Sequence, residues 1–384
     1  MEQNLEVEEN GYYWKGKPTI LKGNLEHLKA PLVVELFSGC GGTSVGFEMA
    51  GFDIAMGVDI HGPSIATFKR NHPNAIAVLG DIKKMSPKLV KDLMGSHKIG
   101  VLIAGVPCQG FSLNNRKRHK NDKRNFLYKE FIKYLEYLQP DIAILENVSG
   151  MLSTANGEFA KNIEKEIARA GNMQVASRLL NAAEYGVPQL RKRLVFVGVK
   201  GGKGFSFDWD LKKTNGPNAS KTFVTVGDAI SDLPSLHPGE EKDYYQNKPK
   251  NEYQKLMRKN AGEKLLNHRA PNHPPDTIEK IKKTKPGSPM YAKYKQRIRL
   301  TLDEPSPTQV CGGIRPQFQF GHPTDPRGLS IRERCRMQSF PDNFEICGGI
   351  VQGRVQTGNA VPPLLAKAIA KGVKKFIKKG NNDV

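Results

Sequence analysis

The chain lacks the features that mark membrane and secreted proteins. No apolar run approaches the length that spans a bilayer. The first residues, MEQNLE, are acidic and polar, unlike a secretory signal peptide. Cysteine is scarce, odd in number and without a CxxC pair, which disfavours a disulfide framework and a zinc site (Cys40, Cys108, Cys311, Cys335 and Cys347). We therefore expect a cytoplasmic protein with reduced thiols, no membrane segment and no metal site.

Two nucleotide-binding signatures are also missing. The chain contains no GxGxxG match, which disfavours a nicotinamide dehydrogenase, and no GxxxxGK[ST] match, which argues against a P-loop. His268 and His273 lie in the middle of the chain without a cluster of potential ligands around them. The sequence therefore predicts no metal-binding role for these histidines.

Acidic residues are outnumbered by basic ones. The chain has 59 Lys and Arg against 38 Asp and Glu, a formal net charge of +21. Such an excess can mean only a well-solvated surface. In a chain of this size it favours a polyanionic partner, because each phosphate that a protein neutralises releases counterions. We expect nucleic acid rather than a membrane surface, since no isolated basic amphipathic helix is present.

What the chain does contain is an alternation of short apolar runs and amphipathic segments, which predicts an α/β fold. The run Leu32–Phe37 leads into a glycine-rich turn, Ser38–Gly42, where a backbone can approach a ligand closely. Asp59 and Asp81 follow the second and third predicted strands at the same sheet edge. Either carboxylate alone is more often a helix cap. Together they indicate an adenosine-type cofactor, with Asp59 on the ribose and Asp81 on the adenine amino group.

The stretch Gly105–Ser112 follows another apolar run and places Cys108 just beyond a strand end. A cysteine there is either a small buried hydrophobic residue or a nucleophile. The surrounding prolines and glycines serve no packing need, and the basic stretch Arg116–Lys120 favours the thiolate by lowering the thiol pKa. We therefore interpret Cys108 as reactive, and Asn114–Arg124 as a loop that closes over a substrate.

Two further groups of polar residues lie next to predicted strands. Glu146 ends the apolar run Ile142–Leu145, where partial burial is expected to raise its pKa and suit it to proton donation at neutral pH. Gln189, Arg191 and Arg193 alternate along an extended stretch and can converge on one site. A solvated basic face is an equally good interpretation of that stretch taken alone.

The order of these blocks resembles the DNA (cytosine-5) methyltransferases that use S-adenosylmethionine. ELFSGCGG, GDI, GVPCQGFS, ILENVSG, QLRKR, RGLSIRERCRMQSFPDNF and GNAVPP follow one another as in that family. The resemblance covers residues 32–199 and about 305–372. It implies a Rossmann-like methyltransferase sheet with helices on both faces and a smaller, irregular target recognition domain. The implied organisation is an N-terminal arm (1–30), a catalytic and cofactor-binding domain (31–200), a target recognition domain (201–305) and a C-terminal part that returns to the catalytic domain (306–384).

The resemblance also implies roles for individual residues. Cys108 would be the nucleophile, Glu146 the proton donor, and Arg191 and Arg193 the residues that hold the cytosine and a nearby phosphate. The residues implied to bind S-adenosylmethionine are Phe37, Ser38, Gly39, Gly41, Gly42, Asp59, Ile60, Asp81, Ile82, Pro107, Asn359 and Val361. Asp59 stands where many relatives have glutamate, and either carboxylate can bind a ribose.

The implied reaction is methyl transfer to carbon 5 of a flipped-out cytosine in a specific sequence of double-stranded DNA. The expected setting is a restriction-modification system, with a cognate restriction endonuclease acting separately, or an orphan enzyme without one. We expect a monomer that associates with the nucleoid. Three alternatives stay open: methylation of transfer RNA cytosine, a catalytically silent DNA-binding partner, and, least favoured, the dehydrogenase. The intact Cys108 and Glu146 argue against the silent partner.

Overall fold

The computed structural model describes residues 14, 16–107, 127–201, 211–311 and 319–377. These residues form two compact units. The first unit contains the described residues up to Leu180, those of Lys192–Lys212, and those from Ala366 onward. The second unit contains Asn181–Arg191 and the described residues of Lys213–Leu365. The sequence predicted a return to the first domain at residue 306, whereas here the second unit continues to Leu365. The functional names of the domains stay predictions.

The first unit is built around one sheet, which has eight strands among the described residues. In chain order the strands are β1 (Thr19–Leu21), β2 (Leu32–Leu36), β3 (Asp53–Asp59), β4 (Ile76–Leu79), β5 (Ile99–Gly105), β6 (Ile142–Val148), β7 (Met173–Asn181) and β9 (Lys192–Lys200). The intervening β8 (Gln189–Leu190) belongs to the second unit and pairs in parallel with β10 (Ser306–Pro307).

The spatial order of the large sheet is β1-β4-β3-β2-β5-β6-β9-β7. The pairs β3–β4, β2–β3, β2–β5 and β5–β6 are parallel, whereas β1–β4 and β6–β9 are antiparallel. The chain therefore moves outward from β2 in one direction and then outward from β5 in the other. A sheet of this kind binds ligands at the reversal point, outside the carboxyl ends of its strands. Here that point lies between β2 and β5.

Helices connect the parallel strands of the first unit. They are α1 (Gly42–Glu48), α2 (Gly62–Asn71), α3 (Pro87–Met94), α4 (Tyr128–Leu138) and α5 (Glu158–Gly171). Because crossovers between parallel strands are right-handed, the reversal at β2 places α1 and α2 on one face and α3 and α4 on the other. The contacts of α4 with both α3 and α5 agree with this arrangement. The predicted α/β fold class is confirmed.

Burial explains why these strands could be predicted from the sequence. All five residues of β2 are buried, and so are the first six of β5. A parallel sheet covered on both faces needs apolar side chains at every strand position, so its strands appear as continuous hydrophobic runs. The core cluster of the first unit extends from Leu32 to Phe196 and joins these strands to apolar residues of α3, α4 and α5.

The N-terminal arm could not be interpreted from the sequence, and part of it packs on the sheet. Thr19–Leu21 forms β1, which pairs antiparallel with β4 at the sheet edge. The backbone N–H of Trp14 donates to the carbonyl of Ile60 at 2.8 Å. Residues 1–13 and 15 lie outside the described residues.

The second unit has short helices and its own core. The helices are α6 (Val226–Ile230), α7 (Glu252–Arg258), α8 (Pro275–Lys283), α9 (Ile331–Met337), α10 (Ile350–Asn359) and α11 (Pro363–Lys374), whose residues from Ala366 belong to the first unit. Ser330 caps α9: its Oγ accepts from the Glu333 N–H at 3.1 Å, and Glu333 accepts from the Ser330 N–H at 2.7 Å. None of the helices in the described ranges is long and apolar enough to cross a membrane.

Gly57 in β3 offers a test of the sheet packing. A Cβ at this position would lie 2.4 Å from Cζ of the buried Phe68 ring. We expect Gly57→Ala to lower the free energy of unfolding by about 1–3 kcal/mol, as overpacked cores do. Gly262→Ala is the control, since a Cβ there meets no atom of the described residues within 4 Å. Urea unfolding followed by circular dichroism compares the two, and equal midpoints would contradict this account of β3.

Candidate active site

The turn after β2 is conformationally unusual. Phe37, Gly39 and Gly41 have φ angles of 55°, 54° and 92°. For a bulky residue such as Phe37, a positive φ is a backbone outlier that costs on the order of 1–3 kcal/mol. Such strain occurs chiefly where a backbone is shaped for a ligand. The turn predicted from its glycines is therefore a strained turn at the reversal point of the sheet.

The two glycines have different surroundings. A Cβ on Gly41 would lie 2.7 Å from Nε2 of His72, so this position needs glycine for packing as well as for its φ. A Cβ on Gly39 would meet no described atom within 4 Å. Gly39 is therefore not enclosed by the described residues, and its role in binding a ligand stays a prediction. Ser38, Gly41 and Gly42 are buried beneath it.

Asp59 at the end of β3 is joined to this turn. Its Oδ2 accepts from the Gly39 N–H at 2.8 Å, and its Oδ1 accepts from the His61 N–H at 2.8 Å. Burial raises the pKa of Asp59, and the two backbone N–H groups oppose that rise. Each carboxylate oxygen keeps a lone pair for a further donor. Asp59 is thus oriented to accept from two neighbouring hydroxyls, which suits a ribose.

Asp81 at the end of β4 has a structural role as well. Its Oδ1 accepts from the Lys83 N–H at 3.1 Å and caps a single turn of 3-10 helix, Ile82–Lys84. This is the capping role that the sequence analysis set against cofactor binding. The second oxygen, Oδ2, is not used by the cap. Ile82 is buried and Ile60 is half-buried.

Glu146 lies near the end of β6, which continues to Val148 along β9. Its Oε1 is 2.6 Å from Nε of Arg193 on β9, and both side chains are largely buried. Burial lowers the pKa of Arg193, and the charge of Glu146 opposes that effect. The structure therefore brings these two predicted catalytic residues together as an ion pair. Sequence reasoning did not foresee this contact.

Gly105 connects Glu146 to the turn and to the segment that bears Cys108. It pairs with Glu146 in the parallel ladder of β5 and β6. A Cβ on Gly105 would lie 3.7 Å from Oε2 of Glu146 and 3.8 Å from the carbonyl oxygen of Phe37. Pro107 follows and is exposed. Cys108 and the proposed closing loop lie outside the described residues, but three residues of extended chain span at most about 11 Å from Gly105.

The remaining predicted residues lie in the second unit. Arg191 is buried, and its Nη1 and Nη2 donate to the carbonyls of Gln309 and Gly358 at 2.9 and 3.0 Å. These bonds give Arg191 a structural role that the sequence prediction did not include. Asn359, beside Gly358, is exposed at the end of α10, and Val361 is buried. The structure therefore brings Arg191 next to the segment that carries Asn359.

Sequence reasoning missed Glu35, which lies under the turn within β2. Its Oε2 accepts from Oγ of Ser44 at 2.5 Å, and burial raises its pKa to about 7. His72 lies nearby, and its Nδ1 is 2.8 Å from Oε1 of Glu48. The one available signal was a carboxylate in the middle of the apolar run Leu32–Phe37.

The donor set of the first unit fits an adenosine-containing cofactor. A ribose needs two acceptor oxygens and room beside them, and the described residues offer the carboxylate of Asp59 and leave Gly39 uncovered. No group of three potential ligands for a metal ion occurs among the described residues. The site thus has the elements of nucleoside binding next to a buried carboxylate–guanidinium pair.

Comparison with known proteins places these features in a family context. The chain matches the family model of C-5 cytosine-specific DNA methylases over residues 32–375. It is 35% identical over 356 residues to the type II methyltransferase M1.HphI of Haemophilus parahaemolyticus, covering 89% of this chain and 86% of that protein. It is 31% identical over 383 residues to M.DdeI of Desulfomicrobium norvegicum, covering 91% of this chain and 90% of that protein.

Solved structures agree on the fold. An E. coli protein assigned as a prophage-encoded DNA modification methyltransferase has a TM-score of 0.75 and 25% identity, covering 90% of this chain and 99% of that one. DNMT2 of Spodoptera frugiperda has a TM-score of 0.57 at 16% identity, covering 91% of this chain and 99% of that one. The similarity to DNMT2 concerns the fold alone.

Glu35 gives the first unit a testable dependence on pH. Because burial raises its pKa from 4.5 to about 7, the folded state keeps the proton that the unfolded chain loses. The stability linked to that proton is present below about pH 4.5 and is lost as the pH rises through about 7. We expect the free energy of unfolding of Glu35→Gln, taken relative to that of the wild type, to increase by about 2–3 kcal/mol between pH 5 and pH 8.

The measurement is urea unfolding of both proteins at several pH values between 5 and 8. Glu263→Gln is the matched control, since Glu263 is exposed. A difference between Glu35→Gln and the wild type that stays constant with pH would contradict the prediction.

Proposed function

The chain belongs to the family of C-5 cytosine-specific DNA methylases, and from that premise we propose that it methylates carbon 5 of a cytosine flipped out of duplex DNA, using S-adenosylmethionine and a covalent bond to Cys108. Family membership and the type II relatives make the chain a DNA cytosine-5-methyltransferase. The observation that carries the finer proposal is the Glu146–Arg193 pair, 2.6 Å apart at the sheet edge where β5 leads to Cys108.

S-adenosylmethionine supplies a methyl group bonded to a positively charged sulfur. The residues of the first unit proposed to hold it line the carboxyl ends of β2 to β5. Asp59 would accept from the ribose hydroxyls, while its bonds to Gly39 and His61 hold its orientation. Oδ2 of Asp81 would accept from the adenine amino group, with Ile60 and Ile82 against the ring. Phe37, Ser38, Gly41, Gly42, Pro107, Asn359 and Val361 keep the cofactor-binding roles predicted from the sequence.

Cys108 is proposed as the nucleophile because carbon 5 of cytosine is too weakly nucleophilic to take a methyl group directly. The thiolate adds to carbon 6, the electrons of the carbon 5–carbon 6 double bond form a double bond between carbons 5 and 4, and the electrons of the carbon 4–nitrogen 3 double bond take up a proton at ring nitrogen 3. Carbon 5 of the resulting enamine would then accept the methyl group, the sulfur that had carried it would be left as a neutral thioether, and ring nitrogen 3 would return its proton to Glu146. A base removes the carbon 5 proton while the sulfur–carbon 6 bond breaks, which restores the ring and the thiolate. One difficult step becomes two easier ones.

Glu146 and Arg193 are proposed to act on different atoms of the cytosine ring. Oε1 of Glu146 is held by Arg193, whereas Oε2 is on the side of Gly105 and is the oxygen proposed to carry the proton for ring nitrogen 3. Nη1 of Arg193 donates to the Lys192 carbonyl at 2.8 Å. That leaves Nη2 as the donor to the oxygen on ring carbon 2. A positioned donor of this type contributes on the order of 3 kcal/mol to transition-state stabilisation.

Base flipping is part of the proposal because a thiolate cannot reach carbon 6 inside a stacked duplex. Extruding the base costs roughly a few kcal/mol, and the net charge of +21 provides the contacts with phosphate that offset this cost. The type II relatives favour a restriction-modification role. The separate endonuclease, the monomeric state, the nucleoid association and the recognition role of residues 201–305 stay predictions.

Cys108 is tested by trapping. A duplex whose target cytosine carries fluorine at carbon 5 should form a stable covalent complex with the wild type, because fluorine cannot leave as a proton. Cys108→Ser should form none while still binding DNA. Cys311→Ser, which changes a thiol exposed elsewhere, is the control and should trap normally. Denaturing electrophoresis with peptide mapping reads the link. A link to another residue would refute the proposal, and preferential trapping on transfer RNA would move the substrate to RNA.

Glu146 is tested by separating chemistry from cofactor binding. We expect Glu146→Gln to lower the single-turnover methylation rate by roughly 10²–10⁴, because an amide cannot donate the proton. The affinity for S-adenosylmethionine should stay within about twofold of the wild type. Glu136→Gln is the control, since Glu136 is exposed on α4. A wild-type rate in Glu146→Gln would show that the proton comes from elsewhere.

A further inference from the structure

The second unit buries several arginines and pairs most of them with acceptors. Arg327 holds Glu333 and Asp325 at 2.8 Å each. Arg336 holds Asp342 at 2.5 Å and Asp232 at 3.1 Å, and Arg332 lies 3.7 Å from Asp342. Such pairing is expected, because a buried charge without a partner is costly.

Arg334 differs from its neighbours on α9. Its Nε donates to Oγ1 of Thr357 at 2.9 Å, and its Nη2 donates to the carbonyl of Val310 at 3.2 Å. It is 3% exposed, and no carboxylate of the described ranges lies within ion-pair distance. Burial and the nearby charge of Arg354 lower the pKa of Arg334 to about 9. Its hydrogen-bond acceptors among the described residues are the hydroxyl of Thr357 and the carbonyls of Val310 and Arg354, all of which are neutral.

Arg354 on α10, whose charge lies near Arg334, is the more informative of these two arginines. It is 7% exposed, and no hydrogen bond or ion pair joins its guanidinium to another residue of the described ranges. Burial lowers its pKa to about 10. The neighbouring His273 brings no countercharge: burial and Arg354 lower its pKa to about 4, and its Nε2 accepts from the Gly328 N–H at 3.1 Å. A purely structural role explains the bonds of Arg334 but not the burial of Arg354.

We propose that Arg334 and Arg354 form an anion site in the second unit that binds one backbone phosphate of the DNA substrate. Two guanidinium groups without a carboxylate match a phosphodiester, which offers several oxygens to forked N–H donors. The site shares its supports with Arg191: Arg334 and Arg191 donate to the adjacent carbonyls of Val310 and Gln309. A phosphate bound here would be held against the segment that Arg191 fixes next to Asn359. The proposal rests on duplex DNA being the substrate.

The test is a scan of the target duplex in which one phosphate at a time is replaced by an uncharged methylphosphonate. The wild type should lose about tenfold in affinity at one position near the target cytosine. Arg354→Gln should bind the unmodified duplex about tenfold more weakly and show no further loss at that position. Its plot of log affinity against log salt should be shallower by about one unit. Arg354→Lys should restore the salt dependence and part of the affinity.

Lys255→Gln is the matched control, since it removes one exposed positive charge of the same unit. It should keep the wild-type loss at the sensitive phosphate. The Arg354 side chain makes no bond to another described residue whose loss should unfold the chain, and circular dichroism checks that the variant is folded. If Arg354→Gln binds DNA like the wild type, or keeps the same sensitive phosphate, the site is refuted while methyl transfer through Cys108 is untouched.

A second experiment tests whether the site binds free phosphate. Inorganic phosphate should raise the melting temperature of the wild type more than that of Arg354→Gln. Such a difference without a change in the methylphosphonate scan would mean that the site takes a free anion, and it would overturn the assignment to DNA. If the wild type does not bind duplex DNA at all, the proposed function fails first. That outcome is separate from the comparison of variants.

Discussion

The parallel pairing of β2 with β5 is the constraint on which the rest of the site depends. It places the strained turn that begins at Phe37 beside the segment leaving Gly105. β6 then adds Glu146 opposite Gly105, and β9 adds Arg193 from the far side. Four strands that are distant in the sequence thus deliver backbone, carboxylate and guanidinium groups to one edge. A sheet with the same strands in another order would separate them.

Some buried charges of the molecule are paired with groups of opposite charge, and others are not. The buried carboxylates of the second unit, Asp232, Asp342 and Glu333, are all engaged by arginines. In the first unit Glu146 is engaged in the same way, whereas Glu35 relies on a hydroxyl and keeps its proton near neutral pH. Where compensation is complete the charges stabilise a fixed geometry. Where it is incomplete, at Arg334 and Arg354, the charge is left for a ligand.

The parts of this structure that were predictable are those that depend on local pattern. The apolar runs Leu32–Phe37 and Ile142–Leu145 marked β2 and β6 to within a few residues, because buried parallel strands are continuous apolar runs. The parts that could not be predicted depend on distant segments of the chain. Glu146 was expected at the tip of an apolar strand, but its contact with Arg193 follows from the pairing of β6 with β9. The extent of the second unit, which continues to Leu365, likewise depends on packing between distant segments. The isolation of Arg354 depends on where every nearby carboxylate points, which no local pattern reveals.

The position of β9 between β6 and β7 has a consequence for the nascent chain. Residues up to Asn181 leave the ribosome before the strand that must lie between β6 and β7 has been made. Until Lys200 emerges, β6 has an unpaired and largely apolar edge of the kind that associates with other chains. Completion of the sheet therefore requires a late strand to insert beside an early one. Translation speed across residues 181–200, or a chaperone covering β6, would influence how much of the protein reaches its native state.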